Sequence, residues 1–197
     1  MPSRKIEFVQ GAYYHIYNRG AGRQSIFRAD ADYRRLLDLI KEVSEACQAK
    51  IVAYSLLPNH YHWLARQDGS IPIRLLPQRV FGSYSLTFNH RYGRSGTLFG
   101  DRFRAKLVDS DEYLRHLCLY IHANSVRHGV AATPELWPYS NYLEWIGVRA
   151  GTLVDRSVIQ TYFGDGERYR QRMADYLAGA INLPAALSKE LGEIESS

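Results

Sequence analysis

Apolar residues change period along this chain, and each change marks an element. Residues 12–20, AYYHIYNRG, are rich in β-formers and end at a turn-like Asn-Arg-Gly, which predicts a first strand. From Asp30 to Ala49, Leu36, Leu37, Ile40, Val43, Ala46 and Cys47 recur at helical spacing. IVAYSLL (51–57) and HYHWLAR (60–66) read as two strands of a hairpin around the turn signal Pro58-Asn59. A helical pattern returns over about 73–92, with Pro72 and Pro77 near its start; residues 93–100 form a loop, and FRAKLV (103–108) reads as a fourth strand. Ser110 caps a third helix, Asp111 and Glu112 suit its positive end, and Gly129 closes it.

The order β-α-β-β-α-β-α predicts an α+β fold, a ferredoxin-like (RRM-like) antiparallel sheet with helices packed on one face. A length of 197 residues fits one such domain, placed at 1–130, with a C-terminal extension over 131–197 packed on or flanking it. Within the extension Trp137-Pro138-Tyr139 reads as an ordered packing segment and the last ten or so residues as frayed.

Composition narrows the class. An apolar fraction of 46% argues for a folded globular chain, no run is long enough to span a membrane, and MPSRKIEFVQ lacks the apolar core of a signal peptide. Cys47 and Cys118 lie within apolar-periodic stretches and read as reduced core residues of a cytoplasmic protein. The net charge of +5 matters less than where it sits: between Arg66 and Lys106, eight basic residues face only Asp68 and Asp101. Such a cluster points to a polyanion, and fifteen tyrosines favour unpaired bases as the surface to be gripped.

Two constellations carry candidate chemistry. On a strand, His60 and His62 point to the same side while Tyr61 points away, so both imidazoles can converge on one metal ion. Read blandly, they are two polar residues on a solvated strand face. On the third helix Leu114, Leu117, Cys118 and Ile121 form the core side, and Tyr120 and Asn124 lie one turn apart along its border, near Tyr113 and Arg127. Here the bland alternative is a boundary tyrosine with its hydroxyl in water.

Taken together, YHIYNRG, AYSLLPNHYHWLA, GTLFGDRFRA, YLRHLCLYIHANSVRHG and WPYSNY occur in an order that resembles the REP-associated tyrosine transposases, a branch of the single-tyrosine HUH transposases. The resemblance runs over about residues 12–145. It implies that His60 and His62 are the HUH pair, Tyr120 the nucleophile and Asn124 the third ligand of Mg²⁺ or Mn²⁺. The family usually has Asn-Pro where this chain has Asn124-Ser125, a change that removes no chemistry. The implied activity is metal-dependent cleavage and rejoining of single-stranded DNA beside a hairpin, through a 5′-phosphotyrosine, by a nucleoid-associated protein. Its long C-terminal segment resembles the monomeric branch more than the short dimeric transposases, with a dimer left open. Candidates for gripping DNA are Arg19, Arg91, Arg94, Arg102, Arg104 and Lys106 for phosphates, and Tyr13, Tyr14 and Tyr92 for bases. Two other readings are a non-catalytic single-stranded RNA- or DNA-binding module, and a transposase-like regulator that binds palindromic DNA.

Overall fold

The computed structural model describes residues 7–181 together with 188, 189, 191 and 192. Four strands, β1 (Tyr13–Arg19), β2 (Ala49–Leu57), β3 (His60–Gln67) and β4 (Arg104–Val108), form one antiparallel sheet in the order β2-β3-β1-β4. Helices α1 (Asp30–Ala46), α2 (Leu75–Arg91) and α3 (Asp111–Arg127) fall within a few residues of their sequence-based positions. This is the expected ferredoxin-like plan.

Local chemistry explains the helix ends. Asp32 Oδ2 accepts from the amides of Arg28 (2.9 Å) and Ala29 (3.1 Å), closing the start of α1. Ser110 Oγ accepts from the Tyr113 amide at 3.2 Å at the start of α3, and Gly129 takes φ +66° just past its end, where glycine carries no Cβ penalty.

The sequence predicts all helices on one face, but they cover both. Tyr14, Ile16, Tyr54, Leu56, Tyr61 and Trp63 form one core with α1 and α2. Val52, Ala53 and Leu64 form a second core with Leu114, Leu117 and Ile121 of α3. The physical reason is that β2 is apolar on both sides, so burying only one would leave the other against water.

Beyond α3, residues 134–177 close the second core. Helices α4 (Tyr142–Trp145), α5 (Arg156–Phe163) and α6 (Gly166–Leu177) follow. The Tyr139 carbonyl accepts from the Leu56 amide (2.9 Å) and Trp137 Nε1 donates to the Leu56 carbonyl (3.1 Å), so this segment covers the outer edge of β2. His122 of α3 is buried between Tyr169 Oη (2.6 Å) and Asn141 Oδ1 (2.8 Å), and the Asn141 amide also donates to the carbonyls of Val52 and Leu153. Both cysteines are free and buried. Among the described residues no helix is long and apolar enough to cross a membrane. The expected fraying of the last ten residues falls mostly outside the described residues.

Candidate active site

The site forms at one end of the sheet, where β1 stops and β3 and β4 begin. Register sets Arg19 opposite His60, and Tyr17 opposite both His62 and Arg104. Alternation then gives His15, Tyr17, His60 and His62 to the face that carries α3, while Tyr14, Ile16, Tyr61 and Trp63 point into the other core. The β1 end is held by backbone hydrogen bonds: the Gly20 amide donates to the Asn59 carbonyl (2.8 Å) and the Ala21 amide to the Leu98 carbonyl (3.0 Å). A Cβ at Gly20 would stand 2.1 Å from the Gln24 carbonyl oxygen, so the approach requires glycine.

His60 and Asn124 meet here. Asn59 Nδ2 donates to the Arg23 carbonyl at 3.3 Å, which turns Asn59 Oδ1 toward His60 Nδ1 at 2.7 Å and fixes the ring hydrogen there. In the neutral ring Nε2 then bears a lone pair, yet it faces another acceptor, Asn124 Oδ1, at 3.1 Å. The Asn124 Nδ2 atom is buried and has no hydrogen-bond partner among the described residues. Two lone pairs facing each other repel unless a cation lies between them. Their separation suits neighbouring ligand atoms around an ion bound at about 2.1 Å in octahedral geometry. His62 lies beside them, its ring centroid 5.4 Å from that of His60, and its Nδ1 is 3.0 Å from His15 Nε2. These residues fit a divalent ion held by two imidazoles and one amide. Among the described residues no three His, Cys, Asp or Glu side chains gather as metal ligands.

Burial keeps the imidazoles neutral, the form that binds metal. His60 is pushed down to about 4 by burial, partly offset because the protonated ring would donate from Nε2 to Asn124, with His128 and Arg19 adding to the depression. His62 lies well below the ordinary histidine range, from burial and then the neighbouring His15, His60, His128 and Arg19. His15 falls to about 3, from burial and the charge of Lys106.

Tyr120 is fully buried rather than at a wet boundary. Its ring stands edge-on to His62 at 5.4 Å, and the Arg127 guanidinium lies 5.6 Å over its face. A cavity of about 260 Å³ opens in front of His60 and His62, lined also by Arg19, Arg23, Arg102, Arg104 and Asp101, and Tyr120 is not among its lining residues. The grip candidates divide accordingly. Arg19, Arg102 and Arg104 line the cavity, and the others do not. Tyr14 is buried in the α1–α2 core, its hydroxyl accepting from the Val9 amide at 2.7 Å, so it has no face for a base. Arg91 pairs with Asp32 at 2.6 Å and Tyr92 donates to the same carboxylate at 2.7 Å, which ties both to the start of α1. Arg94 donates to Gln24 Oε1 (3.2 Å), Tyr13 accepts from Arg66 (3.2 Å), and Lys106 lies 4.9 Å over Tyr113. Sequence reasoning missed Arg23, Asn59, His15 and His128, whose ring is 4.7 Å from His60. Of these only His15 had a signal, since it shares strand parity with Tyr13 and Tyr17.

Comparison with known proteins places the fold and the family. The fold is similar to a solved REP-associated tyrosine transposase bound to a REP hairpin, at 21% identity and a TM-score of 0.62, over 79% of this chain and 94% of that one. A putative transposase from Deinococcus radiodurans R1 is more distant, with 13% identity and a TM-score of 0.43 over 66% and 96% of the two chains. No curated protein sequence matches. The family described as transposase IS200 like matches residues 8–124, more than half of the chain and a span that ends on Asn124, so the chain belongs to the IS200-like transposases.

Proposed function

We propose that this protein cuts and rejoins single-stranded DNA beside a hairpin, with Tyr120 as nucleophile and a divalent ion held by His60, His62 and Asn124, as REP-associated tyrosine transposases do. The observation that carries this reading is the meeting of His60 Nε2 and Asn124 Oδ1 at 3.1 Å, beside a cavity lined by four arginines. Family membership supports DNA strand transfer as the task. The hairpin bound by the solved neighbour supports hairpin DNA as the partner.

Each group has a role in the reading. Arg19, Arg23, Arg102 and Arg104 bind the phosphate chain through charge-assisted hydrogen bonds. Bound Mg²⁺ or Mn²⁺ polarises the scissile phosphate and offsets charge developing on it. The Tyr120 oxygen loses its proton and bonds to phosphorus as the bond to the 3′ oxygen breaks, and that oxygen takes up a proton. The products are a 5′-phosphotyrosine and a free 3′-hydroxyl. One phosphodiester has replaced another, so a 3′-hydroxyl can later attack the phosphotyrosine and release Tyr120. Tyr120 is covered and packed against His62, so attack on a phosphate in the cavity requires that packing to open. That burial is also the one observation favouring a second reading, single-stranded nucleic-acid binding without cleavage.

The two readings separate in one experiment. Labelled single-stranded DNA flanking a hairpin is incubated with Mn²⁺ and either wild type or Tyr120→Phe, which removes one oxygen and keeps the packed ring. Wild type is expected to form a denaturant-stable adduct, while the variant binds DNA equally well and forms none. An adduct mapped to Tyr113 or Tyr139, or no adduct from wild type, refutes the assignment.

A further inference from the structure

His15 has no part in the reaction as described, yet it is a fully buried polar group at the site. It is fully buried on β1, its ring 4.8 Å from Tyr17 and 6.3 Å, edge-on, from Tyr120. Its side-chain hydrogen bond joins Nε2 to His62 Nδ1, at 3.0 Å. Its other nitrogen, Nδ1, is buried with no hydrogen-bond partner among the described residues, a cost that a hydrocarbon side chain would avoid. A core position filled for packing alone has no use for such a ring.

At 3.0 Å a single hydrogen lies between the two nitrogens, and its owner decides what His62 can do. If His15 Nε2 carries it, neutral His62 has its own hydrogen on Nε2 and offers the cavity a donor, unable to ligate a cation. If His62 Nδ1 carries it, Nε2 keeps its lone pair. Asn59 makes that same choice for His60 from the neighbouring turn, so the two histidines are set by two separate acceptors, one in a loop and one in the sheet. We infer that His15 is a positioning residue, accepting the Nδ1 hydrogen of His62 so that His62 Nε2 remains a lone-pair donor held toward the cavity. This rests on the proposed ligand set.

The arrangement is the usual outer-shell support of a histidine ligand, with an imidazole where a carboxylate or carbonyl oxygen more often stands. An imidazole brings no negative charge, so it orients His62 without adding an uncompensated anion to the buried second core.

The test uses Mn²⁺ binding, read by electron paramagnetic resonance on DNA-free protein, and the His62 tautomer, read by two-bond ¹H–¹⁵N correlation on metal-free protein. Wild type is expected to show His62 protonated at Nδ1. His15→Leu keeps the packing and removes the acceptor, and should weaken Mn²⁺ binding about 10–100-fold. His15→Gln returns an acceptor oxygen near the place of Nε2 and should recover most of that loss. Should His15→Leu fail to fold by circular dichroism, the wild-type tautomer and His15→Gln still decide the matter. A wild-type His62 protonated at Nε2, or Mn²⁺ affinity unchanged in His15→Leu, overturns the role of His15. Mn²⁺ binding by wild type that His62→Ala leaves unchanged overturns the ligand set itself, and with it this inference.

Discussion

Acid should unfold this protein earlier than its carboxylates alone would. Four histidines, His15, His60, His62 and His122, are buried in the folded chain and held neutral there, chiefly by desolvation. For His122 the ordinary value of 6.5 is lowered to about 4. A lowered histidine favours the folded state above its unfolded value and gives up that support as pH falls toward its folded value. The relevant window is therefore 6.5 down to about 4. At pH 5 the unfolded chain has taken up nearly one proton at this position and the folded chain about a tenth of one. Folding thus loses about 2 kcal/mol between pH 7 and 5 from one such histidine. His60 and His15, lowered to about 4 and about 3, add similar amounts. Together they approach about 6 kcal/mol, within the range of about 5–15 kcal/mol that holds a whole small domain folded. Asp32 and Asp155 are both lowered from 3.8, so their support fails only below that and leaves the window clear. Urea unfolding followed by far-ultraviolet circular dichroism at pH 7, 6 and 5, without metal or DNA, measures the effect. His122→Gln should be less stable at pH 7 yet lose about 2 kcal/mol less between pH 7 and 5. Equal stability of wild type at pH 7 and 5, or the same loss in the variant, would refute the reasoning.

Three further outcomes follow from the site. His60→Ala and His62→Ala should each abolish metal-dependent cleavage while sparing the circular dichroism spectrum and most single-strand affinity; cutting by the double variant in chelator-treated buffer would contradict the ligand assignment. Because burial holds His60 at about 4, wild-type cleavage should persist below pH 6, and a half-loss near 6.5 would show the ring to be solvated. Arg102→Ala or Arg104→Ala should flatten the log–log salt dependence of single-strand binding by about 0.7 for each phosphate the arginine neutralises, whatever the sequence, and an unmoved slope would make the residue solvated surface.

Much of this was legible in the chain because the signals are local. Runs of β-formers over 12–20 and 51–66, a period of 3.6 over α1 and α3, and the Ser110 cap each depend on neighbours within one turn or one pleat. His60 and His62 were legible as a pair for that reason. What escaped was set by long-range packing. The apolar run of β2 is continuous, the mark of a strand covered on both faces, but a buried helix segment reads the same way. Tyr14 and Arg91 carry the residue types of a nucleic-acid surface, and only tertiary packing commits them to a core and to Asp32. Asn59 and His15 act on His60 and His62 through atoms whose partners no spacing rule reveals.

Topology explains why the chemistry collects where it does. With both faces of the sheet covered, polar groups open to solvent have only its ends and loops to occupy. The order β2-β3-β1-β4 sets β1 between the strand that begins with His60 and the strand that begins with Arg104, so residues 19, 60 and 104, far apart in sequence, come to one end. Asn124 reaches that end from α3, a helix pinned on its other side by the His122–Asn141–Tyr169 bonds. The 134–177 segment therefore bears on the site without lining it, because it fixes the helix that carries both Tyr120 and Asn124 against the sheet that carries the histidines.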